Sequence, residues 1–242
     1  MLKTQLIAAL AVAVIFLSGL GADFDALGST RTRSATFKVR IENISASEGV
    51  TGENGQKYPF ALSPGFFYVN HKRNYFFSQG KRADGALEAQ AEDGSPNMFG
   101  KKLLTKVGST FLGVFNMPLG DTTAGPIFSG GAYEFTFTAY EGMRLNLITM
   151  YGQSNDLFYA PRTAIDLFDP DGNPLTGDIT ENMFLWDAGT ERNQAPGFGD
   201  EQAPRQKMPN TGTAENGVVS MVNDGFTYPN VKDVLKVTIE AR

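Results

Sequence analysis

Two short stretches carry the side chains best suited to hold a hard metal ion. One is Ser154–Asp156, and the other is Trp186–Glu191, which reads WDAGTE. Calcium takes about six to eight oxygen ligands, usually several carboxylates completed by carbonyls and water. Acids at strand ends can converge on such an ion, and Gly189 would let the backbone turn so that Asp187 and Glu191 face one point. By spacing alone, solvated strand-end acids are the commoner arrangement.

A second acidic stretch, Asp169–Asn173 (DPDGN), resembles the start of an EF-hand calcium loop. The pattern then fails, because Pro174 stands where the sixth position needs Gly and Thr180 where the twelfth needs a bidentate Glu. We therefore expect a turn between two strands.

Signatures of enzymes are missing. The chain has one histidine, His71, and no cysteine, and it lacks the G-x-S-x-G, G-x-x-x-x-G-K and H-E-x-x-H motifs. We expect His71 to be a strand-end residue and the protein to be non-catalytic. Because many acid pairs could perform glycoside chemistry, a carbohydrate-binding or carbohydrate-cleaving sandwich is the alternative. Trp186 and Tyr75 would then contact the sugar, although a core anchor is the more common role for a lone Trp beside a loop.

The N-terminus predicts export. Lys3 precedes an apolar run from Leu6 to Leu17, and small residues follow, as in a secretory signal peptide covering residues 1–21. The run is shorter than the about 20 residues that cross a bilayer, so we expect a secreted or periplasmic protein. Residues 22–34 lack periodicity and predict a flexible mature N-terminus.

Composition excludes some functions. The net charge of −5 argues against nucleic acid as a partner, and the absence of cysteine excludes disulfides and thiolate chemistry. The 242 residues suffice for one sizeable core, and 19 Phe with 27 Gly suit short strands joined by tight turns.

Hydrophobic alternation predicts the main strands. Phe37–Glu42 and Leu235–Glu240 each alternate apolar with polar residues, so the two terminal strands could share a sheet. Tyr133–Thr138 alternates as well, whereas Arg144–Tyr151 is apolar on both faces. We expect these two to form a hairpin through Tyr140–Met143, with the second strand central in the core.

Weaker signals complete the predicted architecture. Gly85–Glu92 is the one helical segment, closed by Asp93–Gly94, and Ala188–Pro229 is a long loop rich in Gly, Pro and Asn. Further strand candidates are Phe66–Asn70, Thr110–Asn116, Ala164–Leu167, Met183–Trp186 and Val218–Val222. The sequence therefore predicts an all-β antiparallel sandwich over residues 35–242, with one short helix and a long loop in the C-terminal half.

Several of these strings together resemble the spondin domain of secreted animal matrix proteins and of many bacterial exported proteins. The similarity covers about residues 35–242 and rests on Ser154–Asp156, Trp186–Glu191, VLKVTIE at Val234–Glu240, Ser63–Pro64, His71 and Gly85–Gly94. WDAGTE is the most specific string. Glu191 stands where animal members often have Asp, and the animal cysteines are missing, which indicates a bacterial-type member.

The resemblance implies an eight-stranded antiparallel sandwich of a type also seen in calcium-dependent membrane-binding modules. One calcium would be held by Asp156, Asp187 and Glu191 and would be mainly structural. The implied function is an exported, calcium-binding adhesion or extracellular-interaction module. Its partner would be a protein or glycan surface, with the envelope or a membrane surface as a place of association.

Overall fold

The computed structural model of the protein describes residues 32–71, 74, 76–104 and 111–242. The predicted signal peptide, nearly all of the predicted flexible N-terminus, and Tyr75 lie outside the described residues. The chain from Thr32 to Arg242 forms one compact unit. No helix in the described ranges is long and apolar enough to span a membrane.

Strands dominate the described residues, which contain thirteen of them and three short α-helices. In chain order these elements are β1 (Ser34–Asn43), β2 (Val50–Thr51), β3 (Lys57–Tyr58), β4 (Leu62–Asn70), α1 (Gly85–Asp93), α2 (Asn97–Leu104), β5 (Phe111–Phe115), β6 (Ala132–Tyr140), β7 (Arg144–Tyr151), β8 (Leu157–Pro161), β9 (Ile165–Asp166), β10 (Gly177–Asp178), β11 (Met183–Asp187), β12 (Ser220–Met221), α3 (Val231–Val234) and β13 (Leu235–Ala241). Five of these strands, β2, β3, β9, β10 and β12, have only two residues each. The number of strands therefore depends on whether such short pairs are counted, and the predicted number of eight stays a prediction.

Two antiparallel sheets carry most of these strands. A four-stranded sheet has the order β10-β13-β1-β6, and a seven-stranded sheet has the order β12-β11-β8-β7-β4-β5, with β9 also paired to β7. The terminal strands β1 and β13 pair as the sequence predicts, with Val39 opposite Ile239. The all-β antiparallel prediction is thereby confirmed.

The main core lies between the two sheets. The apolar face of β1, formed by Phe37, Val39 and Ile41, is completely buried and belongs to one cluster with Phe67 and other side chains of the larger sheet. Facing sheets that share a core in this way form a sandwich. A smaller core lies on the other face of the seven-stranded sheet, where α1 and α2 cover it.

The predicted hairpin is wrong, although both of its strands exist. β6 pairs with β1 in the four-stranded sheet, whereas β7 pairs with β4 and β8 in the seven-stranded sheet. The turn at Gly142, where φ is +83°, therefore passes from one sheet to the other. The physical reason is burial: β7 is apolar on both faces, and the larger sheet, with α1 packed on its outer side, offers cover for both.

The predicted helix is confirmed as α1. Asp84 accepts a hydrogen bond from the Leu87 amide at its start, and Gly94 ends it with φ at +62°. α2 was not predicted from the sequence. The site depends on β8 and β11, which pair so that Asp187 lies opposite Leu157. Asp156, which directly precedes Leu157, is thus placed at the same end of the sheet as Asp187.

Two glycine-to-alanine substitutions test the packing, because they should change the free energy of unfolding in opposite directions. A Cβ at Gly65 in β4 would lie 2.1 Å from the Ile148 carbonyl oxygen, while a Cβ at Gly100 in α2 would meet nothing within 4 Å. Gly65→Ala should lower the free energy of unfolding by about 1–3 kcal/mol, as overpacking does. Gly100→Ala should raise it by about 0.5–1 kcal/mol, because Ala is the better helix former. Urea unfolding followed by circular dichroism measures both, and equal effects would contradict the described packing.

Candidate metal centre

Asp156 connects the start of β8 to the loop after β11. Its side chain is fully buried, and Oδ2 accepts three hydrogen bonds: from the Thr190 amide at 2.7 Å, the Thr190 hydroxyl at 3.1 Å and the Glu191 amide at 3.0 Å. Hydrogen bonds to an ionised carboxylate are among the stronger ones in proteins. One carboxylate oxygen thus holds the WDAGTE loop in place.

The second oxygen of the same carboxylate is the exception in this network. Asp156 Oδ1 is buried and has no hydrogen-bond partner in the described structure. Leaving a buried polar atom unsatisfied costs about 1–3 kcal/mol, and more when the atom belongs to a charged group. A proton on Oδ1 would remove the charge but leave an unpaired O–H group, whereas a cation would compensate the charge and occupy the oxygen.

Asp187 lies beside Asp156, at the end of β11. It is 8% exposed, and its two oxygens accept hydrogen bonds from the Gly189 amide at 2.6 Å and the Asn193 side-chain amide at 2.8 Å. Burial raises the pKa of both aspartates, and the negative charge of Asp187 raises the pKa of Asp156 further. The two carboxylates therefore repel each other in a desolvated place.

Gly189 performs the role that the sequence suggests for it. Its φ is +67°, and a Cβ there would lie 2.6 Å from the amide nitrogen of Val218. Both facts exclude a larger residue, because the left-handed conformation and the close approach of a second chain segment suit only glycine. The turn brings Thr190 and Glu191 back over Asp156.

Glu191 is near the two aspartates through its backbone, but its carboxylate points elsewhere. Oε1 accepts a hydrogen bond from the Gly212 amide at 2.7 Å, and a Cβ at Gly212 would lie 2.1 Å from Oε2. Among the described residues, no group of three or more Asp, Glu, His or Cys side chains is arranged to hold a metal ion. Asp156 and Asp187 are thus brought together, and Glu191 as the third ligand stays a prediction.

Three further residues border the site and were missed by the sequence analysis. The negative charges of Glu215 and Asp224 raise the pKa of Asp187, and the Tyr228 hydroxyl donates a 2.6 Å hydrogen bond to Asp224. All three belong to the long loop, which lacks periodicity. No local signal in the sequence shows which of its acids fold back toward β11.

Glu92 was missed as well, although it lies in the predicted helix. It is 2% exposed at the end of α1, and its Oε2 has no hydrogen-bond partner in the described structure. Burial, together with the charges of Glu191, Glu88 and Asp93, raises its pKa to about 7, and a hydrogen bond with the Thr190 side chain opposes that rise. The helical period puts Glu92 beside Glu88, away from the apolar face that carries Leu87, so the helix pattern alone predicts an exposed Glu92. Only the fold buries this position next to the WDAGTE loop.

This end of the sandwich has an excess of negative charge. No ion pair in the described part of the chain includes Asp156, Asp187, Glu191, Glu92 or Asp224. Buried carboxylates normally have cationic or metal partners. The arrangement suits a positively charged ligand, which none of the described side chains supplies through an ion pair.

The remaining sequence candidates have structural roles. Trp186 is 1% exposed and donates from Nε1 to the Ala160 carbonyl at 3.1 Å, which confirms it as a core anchor. Asp169 closes a turn by accepting hydrogen bonds from the Asp171 and Asn173 amides, as predicted. His71 directly follows β4 and is exposed.

Fold and site together define an antiparallel β-sandwich with a buried acidic centre at one end of its larger sheet. No family model matches the chain, and no curated protein matches it. The resemblance to the spondin domain is therefore a proposal, supported by the motifs themselves.

The buried acids predict a pH-dependent stability in chelator. Because folding raises the Glu92 pKa from 4.5 to about 7, the folded state binds more protons in that range, and stability should fall as pH rises through about 7. Asp156 and Asp187 act in the same direction. Glu92→Gln should flatten the decline, whereas Glu181→Gln, an exposed control outside the acidic centre, should keep it. Urea unfolding at a series of pH values measures the slope, and identical slopes for the two variants would contradict this account.

Proposed function

We propose that the protein is an exported, non-catalytic, calcium-binding β-sandwich of the spondin type that serves in adhesion or extracellular interaction. The observation that carries the proposal is Asp156 Oδ1, a buried carboxylate oxygen with no hydrogen-bond partner among the described residues. It lies beside the carboxylate of Asp187, which accepts two hydrogen bonds but forms no ion pair with a described residue. Export rests on the N-terminal sequence, and the adhesive role rests on the resemblance.

The donor set favours a hard divalent cation. The available groups are carboxylate, carbonyl and amide oxygens, which calcium prefers, and the described site lacks the sulfur and imidazole ligands that favour zinc or copper. A divalent ion would convert the repulsion between Asp156 and Asp187 into attraction, and this effect is large where water is excluded. Glu191 is the proposed third ligand, and its carboxylate would first have to leave the Gly212 amide.

The ion would act mainly on the long loop. The WDAGTE segment already pairs with the chain near residues 213–217, through hydrogen bonds from Arg192 to Thr213, Glu215 to Thr190 and Gly217 to Gly189. A cation on Asp156 and Asp187 would fix the base of this paired segment. Calcium would in this way set the conformation of an exposed surface without taking part in a reaction.

A simpler account is that Asp156 is only a structural residue that holds the loop through Oδ2. Both accounts expect Asp156→Ala to destabilise the protein, so loss of stability alone does not separate them. They differ in the effect of calcium on the wild type and on isosteric variants.

The first prediction of the proposal concerns calcium and thermal stability. Calcium at a hundredfold excess over its dissociation constant should add about 2.7 kcal/mol to the free energy of unfolding. Asp156→Asn and Asp187→Asn should abolish this gain, and Asp121→Asn, an exposed control, should keep it. Differential scanning calorimetry in calcium and in chelator measures the shift. If the wild-type melting curves in calcium and in chelator coincide, the metal-site proposal is wrong and the structural account of Asp156 remains.

A second prediction identifies the third ligand. If Glu191 moves onto the ion, Glu191→Gln should weaken calcium binding by at least about tenfold, as loss of a ligand or its close support does. Asp224→Asn, which removes an acid near Asp187, should then have a smaller effect. Calcium titration by isothermal calorimetry compares the two variants, and the reverse order would assign the third position to Asp224.

The alternative function, carbohydrate binding or cleavage, cannot use Trp186 as a stacking platform, because that indole is almost completely buried. A sugar site would need another surface.

A further inference from the structure

A cleft lies at the opposite end of β8 from the acidic centre. Asp156 directly precedes this strand and Arg162 directly follows it, so the strand separates the two places. The cleft has a volume of about 470 Å³, within the range of small-ligand sites. Its lining includes Asn74, Phe77, Ser78, Arg144, Arg162 and Thr163.

The floor of the cleft is a supported aromatic ring. Phe77 is half-buried, and its ring packs against Phe158 with centroids 5.1 Å apart and against Trp186 at 4.8 Å. Trp186 is in turn fixed by its hydrogen bond to Ala160. Such a ring has little freedom to lose when a ligand binds, so its remaining exposed surface is preorganised for an apolar face.

The charge of the cleft is opposite to that of the acidic centre. Arg144 donates from Nε to Asp166 Oδ1 at 2.5 Å and is thereby neutralised. Arg162 is exposed and belongs to no ion pair of the described residues. Among its described lining residues, the cleft therefore offers the uncompensated guanidinium of Arg162, in a chain of net charge −5. A guanidinium binds a planar carboxylate through two parallel hydrogen bonds.

Small polar groups complete the rim. Ser78, Gln79 and Thr163 are exposed and line the cleft, offering hydroxyl and amide groups to a ligand. Asn74 Oδ1 already accepts a hydrogen bond from the Phe76 backbone amide, which fixes the Asn74 side chain. An aromatic floor, a hydroxyl-binding rim and one free guanidinium together match a sugar ring that carries a carboxylate.

We propose that this cleft binds a uronic acid unit of an acidic glycan. The carboxylate would pair with Arg162, an apolar face of the pyranose ring would lie on Phe77, and ring hydroxyls would hydrogen-bond to Ser78 and Thr163. The cleft is separate from the calcium centre and goes beyond the proposed adhesive role by naming what the protein recognises. A simple inorganic anion fits less well, since it would leave the aromatic floor unused.

The test compares a short oligomer of galacturonic acid with the neutral galactose oligomer of the same length and linkage. Binding to the mature protein is measured by isothermal calorimetry in chelator, because calcium would also bind the acidic glycan. We expect the acidic oligomer to bind at least about tenfold more tightly than the neutral one, the difference that a charge-assisted bidentate pair supplies.

Variants assign the binding to the cleft. Arg162→Gln should lose the preference for the acidic oligomer, and Arg242→Gln, an exposed arginine at the chain end, should keep it. Phe77→Ala should weaken both oligomers, while Phe77→Tyr retains the ring and should bind normally; melting curves show whether each variant is folded.

Three outcomes would overturn the proposal: no binding of the acidic oligomer, equal binding of both oligomers, or an unchanged preference in Arg162→Gln. Tighter binding of a glutamate-rich peptide would also overturn it and would assign the cleft to acidic proteins. Because the measurement is made in chelator, failure here is independent of the calcium site, which the melting experiment tests by itself.

Discussion

The burial of the Asp156 carboxylate is the constraint on which this end of the molecule depends. A charged group without water must be compensated, and the protein compensates one oxygen by turning the WDAGTE loop so that two amides and a hydroxyl converge on it. That convergence requires the left-handed backbone at Gly189. The other oxygen accepts no hydrogen bond from the residues that the structure describes, and the negative charge of the neighbouring Asp187 increases the cost of burying it.

The sandwich makes such a position available because its larger sheet is covered twice. One face packs on the four-stranded sheet and the other on α1 and α2, so every residue of the central strand β8 is buried, and so is Asp156 directly before it. Water is excluded from Asp156 for this reason, and Glu92 is buried on the helix side. Strand β8 connects two chemically different ends of this sheet. The acidic centre lies before the strand and the arginine-bearing cleft lies after it, so the length of β8 sets the distance between them.

Sequence periodicity predicted where the strands and the helix α1 lie better than it predicted which strands pair with each other. β1, β7, β13 and α1 follow from alternation, from apolar character on both faces and from capping residues, which are local properties. The hairpin between β6 and β7 was wrong because a turn sequence does not say whether the chain returns to the same sheet or crosses to the opposite one. α2 was missed because its eight residues contain a central glycine and only a short apolar face.

The sequence by itself determined the chemistry of the candidate site: Asp156, Asp187 and Gly189 belong to strings whose residue types favour a hard cation and a tight turn. Only the tertiary structure decided that Asp156 and Asp187 adjoin, that the Glu191 carboxylate turns to Gly212, and that Glu92, Glu215 and Asp224 approach from distant segments. The reason is that residue type is a property of one position. Burial and electrostatic coupling, by contrast, arise from segments that meet only when the two sheets and the helix layer have packed.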